Sequence, residues 1–397
     1  MQIDLNVHKR FRYVLFSSLY IAEGLYQTLL GLITPLYLLE KNVSIPLITL
    51  IIGIGQAPWA LKFVWGGIID YYQKYGRKKF TVFGTILGAF GFLIVALVDQ
   101  YFSLLFYTLF IFIGHIGISF LDAGADAWAI DISTKEDRGK INGFMWIGQR
   151  MSASLGGPIM VFIALSLGYN FAFLIIGLVI LFLSIAPMLV KYKDRNIGDI
   201  HIYSLVKQEF RKKYTRRSTL YLFITALHPS LILSLIVIIA KTILLWDDGF
   251  IALTGVLTLF AGTIPGGIIG GLIADKTGRK KPLIIILPML ILISLSIIYI
   301  INTNVYLILF WLAIINFFWA AMVAANWAMI MDIINPKIGA AEHEIICSIA
   351  NTGVMSMVAA GGTLFVVLGF NNVFYLSALI IIPAIILLNF IKTDRIK

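Results

Sequence analysis

Twelve stretches of this chain are apolar for about the length a helix needs to cross a membrane, and that leaves few folds open. A crossing takes about 20 mostly apolar residues. The runs fall at 13–39, 46–70, 80–98, 103–131, 141–167, 169–190, 219–245, 250–274, 282–301, 305–333, 343–368 and 373–391. In lipid every backbone N–H and C=O needs an internal partner, which a helix supplies. The runs are continuous rather than alternating, so they do not suit barrel strands. Only 13% of the residues are charged and 60% are hydrophobic, whereas soluble domains carry roughly 25% charge. The expected fold class is all-α integral membrane, with twelve transmembrane helices.

The positive charge sets an orientation. A net charge of +11 would suggest nucleic acid in a soluble protein. Here 27 of the 31 Lys and Arg residues fall in the alternate loops and ends that share one side. Only Lys41 lies in a loop on the other side. The positive-inside rule then places both termini in the cytoplasm of a multi-pass cell-membrane protein. No nucleic-acid partner is expected. The run after Arg12 is too long for a signal peptide and lacks a small-x-small site, so it reads as a retained first helix. Cys347 is the one cysteine, which excludes an internal disulfide. Phosphate-loop and metal-ligand spacings are missing, so no cofactor or metal is expected.

A phrase recurs about 200 residues apart. Gly66-Gly67-Ile68-Ile69-Asp70 runs on to Gly76-Arg77-Lys78-Lys79, and Gly271-Leu272-Ile273-Ala274-Asp275 runs on to Gly278-Arg279-Lys280-Lys281. Trp128-Ala129-Ile130-Asp131 has its counterpart in Trp327 to Asp332. Such self-similarity predicts two related six-helix bundles, 1–190 and 219–397, joined by the basic segment 191–218 along the anionic inner leaflet.

These motifs resemble the major facilitator superfamily, on the loops after the second and eighth helices. The second copy has the usual superfamily spacing, while the first carries five residues between Asp70 and Gly76. That stretch looks like the branch of muropeptide permeases and acetyl-coenzyme A transporters. Leu19 to Leu25, Ala57 to Trp65, Asp122 to Asp131 with Glu136 to Gly139, and Met331 to Lys337 resemble the same branch. The chain departs from it at Glu342-His343. The resemblance implies a secondary transporter, working as a monomer on a small-molecule substrate, and not an enzyme. It also implies that Arg77 and Arg279 pair with Asp131 and Asp332. With Asp70 and Asp275 these residues are expected to latch the cytoplasmic side.

Charges inside the spans mark the candidate site. Counting 1.5 Å per residue from the cytoplasmic helix ends, Glu23, Lys62, Asp122 and Arg150 all lie about 12–15 Å in, near the middle of the hydrocarbon. Asp126 follows Asp122 by one turn. A charge there costs at least about 2.5–3.5 kcal/mol, so these groups must face one another or water. They form either a static ion-pair network or a lining that binds substrate and a coupling proton. Static pairs recover their desolvation poorly, which favours the second. Three carboxylates against two cations leave one acid over, and it is expected to hold a proton. Asp126 is the first expectation for that acid and Glu23 the second. Tyr20 and Gln27 flank Glu23 as candidate contacts. The other half offers His228, Asn316 and Asn326, a neutral set.

The expected activity is proton-coupled movement of a polar or anionic metabolite by alternating access. The resemblance suggests a muropeptide-like sugar–peptide or a coenzyme A thioester. Exchange of anions or organic phosphates, drug export, and a non-cycling receptor are the alternatives. An enzyme or flippase acting on lipid-linked substrates would need its polar groups at the interface, and these lie too deep.

Overall fold

A computed structural model describes residues 3–5, 9–98, 103–133, 135–191, 202–335 and 339–391. Much of the linker (192–201), Pro336, Lys337 and the basic tail at 392–397 lie outside the described residues. Apart from one short pairing of Ile3–Asp4 (β1) with Val190–Lys191 (β2), in parallel register Ile3 to Val190, the regular structure is helical. Among the described residues, eleven helical segments are long and apolar enough to cross a membrane. The first helix is not among them. It runs from α1 (Lys9–Thr28) through a π-turn at Leu29–Ile33 into α2 (Thr34–Glu40), and Glu23, Gln27 and Thr28 dilute its apolar run.

The helices of the first part are α3 (Ile45–Ala60), α4 (Lys62–Tyr71), α5 (Arg77–Val98), α6 (Leu104–Ile132), α7 (Lys135–Leu167), α8 (Tyr169–Leu183) and the short α9 (Ile185–Met188). A 3₁₀ turn at Gln73–Tyr75 separates α4 from α5. The second part holds α10 (Ile202–Arg211), α11 (Lys213–Thr242), α12 (Asp248–Leu257), α13 (Ile264–Thr277), α14 (Lys280–Ile300), α15 (Val305–Ile333), α16 (Gly339–Leu368) and α17 (Phe370–Asn389). The chain forms two compact units, residues 1–37 with 54–200 and residues 38–53 with 201–397. Residues 45–53 of α3 thus pack with the second unit, where the Gly362 N–H donates to Thr49 Oγ1 at 2.9 Å.

Proline explains the irregular turns. Proline brings no N–H, and its ring crowds the carbonyl four residues back, so the regular ladder is interrupted beside it. At Thr34-Pro35 the Thr34 N–H reaches back five residues to the Leu29 carbonyl. At Ile264-Pro265 the Ile264 N–H reaches back to Leu259 in the same way, after a second π-turn at Thr258–Thr263. π-turns of this kind absorb an extra residue without stopping the helix. The segment read as a membrane-surface linker is partly the helix α10, and α11 begins at Lys213, six residues before the apolar run.

Each unit has its own core. In the second, Tyr221, Leu235, Leu290, Ile315, Ala325 and Phe374 are buried in one continuous cluster across α11, α14, α15 and α17. In the first, α1 lies against α7, and small residues set how closely. A Cβ on Gly24 would lie 2.1 Å from the Gln149 carbonyl, so only glycine permits that approach.

Candidate functional site

Lys62 sits at a break in its membrane helix. α3 carries Pro58 in its last turn, and Leu61 leaves helical geometry at φ −95° and ψ 10° before α4 begins. At this break the Pro58 carbonyl accepts hydrogen bonds from Trp65 Nε1 and Ser119 Oγ, each at 3.0 Å. Side-chain donors of this kind make helix breaks tolerable in lipid. The break ties α4 to α6 beside the two acids that Lys62 meets.

The Lys62 ammonium lies 2.6 Å from Asp122 Oδ2 and 3.1 Å from Asp126 Oδ2. One helical turn separates the two acids, so one cation reaches both. Tyr20 of α1 donates to the other oxygen of Asp126 at 2.6 Å. Lys62, Asp122 and Glu23 are all buried. The close approach at Gly24 brings the next residue, Glu23, to Gln149, whose amide donates to Glu23 Oε1. Glu23 Oε2 is buried and accepts nothing among the described residues. Gln27, one turn further along α1, is half-buried.

Arg150 stands apart from this network. It makes no ion pair among the described residues, its Nε is buried without a hydrogen-bond partner, and its guanidinium lies 5.8 Å from the centre of the Trp146 ring. The structure therefore joins Tyr20, Lys62, Asp122 and Asp126 in one cluster and gives Glu23 an amide in place of a cation. Among the five mid-membrane charges, the described residues offer no hydrogen-bond partner to Glu23 Oε2 or to Arg150 Nε. Gln149 and Trp146 escaped the sequence reading because neither carries charge. Their adjacency to Arg150 on one helix was the available signal.

The polar candidates of the second unit are engaged with one another's helices. Trp319 Nε1 donates to His228 Nδ1 at 3.2 Å, so the imidazole proton is on Nε2, which donates to Ser294 Oγ at 2.8 Å. Asn326 accepts from the Tyr221 hydroxyl at 3.0 Å and donates to Thr225 at 3.3 Å. Asn316 donates to the Leu312 carbonyl of its own helix at 2.8 Å. These bonds stitch α11, α14 and α15 together without a charge.

The two copies of the repeated motif have the same anatomy. Gly76 and Gly278 turn with φ of 86° and 91°, a region that favours glycine. Arg77 then bridges Asp70 and Asp131, each at 2.7 Å. Arg279 pairs with Asp275 and, at 2.8 Å, with Asp332. The next lysine has a job that the sequence did not suggest. Lys78 donates to the Val190 carbonyl and Lys280 to the Ile391 carbonyl, each at 2.7 Å. Each lysine thus satisfies backbone just beyond the last helix of its half, as cations near helix C-termini do.

A second polar knot lies on α10. Glu209 accepts from Lys212 at 2.5 Å, from Asn335 Nδ2 at 2.7 Å and from the Tyr214 hydroxyl at 3.1 Å. The backbone N–H of Asn335 donates to Glu342 at 2.9 Å. Burial alone would raise Glu209, but the donors from Lys212, Asn335 and Tyr214 outweigh it and hold its carboxyl below the usual range.

Solved structures share this fold. A bacterial homologue of the human lysosomal transporter Spinster, in its inward-facing and occupied conformation, aligns with a TM-score of 0.75 at 13% identity over 96% of both chains. Its inward-facing and unoccupied conformation aligns at 0.66, again with 13% identity, over 94% of this chain and 98% of the other. At that identity the likeness is one of fold. The sequence itself supplies the family, because the profile of the Major Facilitator Superfamily matches residues 16–341, a range that holds both Asp–Arg motifs, and the chain belongs to that superfamily.

Proposed function

We propose that this chain is a secondary active transporter that couples a proton to the movement of an anionic metabolite. The observation that carries the reading is the unequal sharing of cations in the first unit. Lys62 lies against two carboxylates, while Glu23 is hydrogen-bonded among the described residues only by the Gln149 amide and feels Lys62 and Arg150 at longer range. An acid without a contacting cation at that depth is the natural proton carrier, so the role passes from Asp126 to Glu23. Asp126 is already engaged by Lys62 and Tyr20. An open guanidinium beside an indole suits a carboxylate or phosphate on a partly apolar ligand. Muropeptide-like sugar–peptides and coenzyme A thioesters, the ligands of the branch it resembles, both carry such groups.

The halves 1–190 and 219–397 are the two bodies of the proposed alternating-access cycle, with 191–218 between them and both termini in the cytoplasm. The Asp–Arg motifs stabilise the state closed to the cytoplasm. Impermeant labelling tests the orientation in a Cys347→Ser background. A cysteine replacing Asp248 should react from outside and one replacing Gln208 should not, and the opposite pattern would reject the topology.

The functional test begins with thermal-shift screening of the purified protein against muropeptides, sugars, nucleotides, coenzyme A esters and peptides, since a ligand that binds the folded state raises its melting temperature. The compound that shifts it is then followed in proteoliposomes. A pH gradient should drive uphill uptake in the wild type. Glu23→Gln should abolish uphill uptake while leaving counterflow intact. Uptake indifferent to a pH gradient in the wild type, but driven by counter-substrate, would replace proton coupling with anion exchange at Arg150.

A further inference from the structure

The first copy of the repeated motif carries more than its Asp–Arg contact requires. Between Asp70 and Gly76 it inserts Tyr71-Tyr72-Gln73-Lys74-Tyr75, whereas the second copy has only Lys276-Thr277. Both copies nonetheless pair their arginine with the two corresponding acids. The insertion builds something else.

Tyr72, Tyr75 and Lys79 form one end of a groove of about 420 Å³, which continues along Ile68, Phe80, Phe83 and Phe120. Phe83 and Phe80 lie edge-on or tilted against Phe120, at 5.7 and 6.2 Å between ring centres. Phe120 is eleven residues from Asp131 on α6, so the groove runs about 16 Å from the helix ends into the apolar span. Its direction is that of an acyl chain. Lys79, in the groove lining, and Lys74, just outside it, approach the Tyr75 ring at 6.0 and 5.2 Å. Both are exposed and make no ion pair among the described residues. Their neighbours Arg77 and Lys78 are already engaged. In the second copy Pro282 and Ile285 stand where the first has Phe80 and Phe83.

We propose that this groove holds one anionic glycerophospholipid from the leaflet on the Arg77 side. An acyl chain lies against Phe80, Phe83 and Phe120, and the phosphate meets Lys74 and Lys79. Charge complementarity selects the headgroup, because two unpaired ammonium groups stand at the depth where an apolar furrow meets the membrane surface. Aromatic rings at that level suit the boundary between acyl chain and headgroup.

Native mass spectrometry of the detergent-solubilised protein provides the test, with phosphatidylglycerol and phosphatidylcholine of identical acyl chains as probes. The wild type should retain one phosphatidylglycerol. Lys74→Ala/Lys79→Ala should weaken that binding roughly thirtyfold, from about fivefold per lysine near an anionic headgroup. Phosphatidylcholine should bind both proteins alike. Lys276→Ala/Lys281→Ala removes the same charge from the second copy and should leave phosphatidylglycerol binding unchanged. Equal losses in the two double variants would make the effect one of general surface charge and overturn the proposal. Displacement of the lipid by inorganic phosphate alone would reduce the site to an anion contact. A detergent-stable dimer formed in place of lipid binding would assign the face to a second copy.

Discussion

The two units carry the same loop motif at their helix ends and opposite chemistry in their spans. In the first, Lys62, Asp122, Asp126 and Glu23 are ionisable groups gathered across α1, α4 and α6. In the second, the corresponding level is neutral: Tyr221 to Asn326 to Thr225, and Trp319 to His228 to Ser294. A neutral hydrogen bond contributes about 1 kcal/mol net, whereas a buried charge deprived of its partner costs several. The two units thus share the scaffold of turns and termini and differ in their spans. The mid-span ionisable cluster lies in one unit, and the mid-span hydrogen bonds of the other are neutral.

The largest break in that comparison is at Lys62. Lys62→Ala leaves Asp122 and Asp126 facing each other without a cation, and removing one partner of a buried pair costs about 3–5 kcal/mol. Asn326→Ala removes two neutral bonds and should cost about 1–3 kcal/mol. Thermal unfolding in detergent should therefore show a clearly lower midpoint for Lys62→Ala. Equal midpoints would mean that the ion cluster is hydrated and contributes no more than its neutral counterpart. Lys62→Ala combined with Asp126→Asn should recover part of the loss.

The repeated loops give a finer contrast. Arg77 and Asp131 are almost fully enclosed, with side chains 7% and 4% exposed, while Arg279 and Asp332 are 23% and 21% exposed. Exposed pairs are worth about 0–1 kcal/mol and enclosed ones leave an uncompensated charge when broken. Arg77→Ala should lower the midpoint and net transport more than Arg279→Ala, with ligand binding kept in both. If Arg77→Ala abolishes binding in a folded protein, Arg77 belongs to the ligand site and the division between latch and site fails. Replacing Lys78 or Lys280 by Met should have a milder effect, about 1 kcal/mol, because each satisfies one terminal carbonyl.

The apolar runs predicted the helices well, since lipid imposes internal hydrogen bonding and hydropathy reports it directly. The loop motifs were legible because turn glycines, acids and arginines recur at matched spacing. Partnerships within the spans were less so. Counting residues up a helix gives depth but not direction, and each step turns the side chain by about 100°. Depth alone made Arg150 a partner for the three acids, whereas α7 turns Gln149 toward Glu23 and Arg150 toward Trp146. That rotation depends on how closely α1 and α7 approach at Gly24, a tertiary fact that neither helix states by itself. The contact of α10 was hidden for a similar reason. Glu209 looks like one acid in a basic linker until Asn335, 126 residues away, is folded onto it.

That contact yields the smallest expected effect, and its sign can be worked out. Glu209 is held below the usual carboxylate range, so its contribution is complete above the unfolded value of about 4.3 and is lost as the pH falls through the lower folded value. Lys212 is raised by its hydrogen bond to Glu209, so its contribution is complete below about 10.4 and is lost only as the pH rises through the higher folded value. On these two groups the docking of α10 should hold across neutral pH and loosen in acid, below about pH 4. Burial and the nearby Glu209 raise Glu342, whose charge opposes docking until it takes a proton. A spin label on Gln208→Cys, in a Cys347→Ser background, reads this directly as mobility between pH 8 and pH 3. Glu209→Gln should give a mobile label at every pH, because the neutral amide no longer draws the Lys212 ammonium. Mobility that changes between pH 6 and 7, and does so equally with Glu209→Gln, would show that α10 answers to another group.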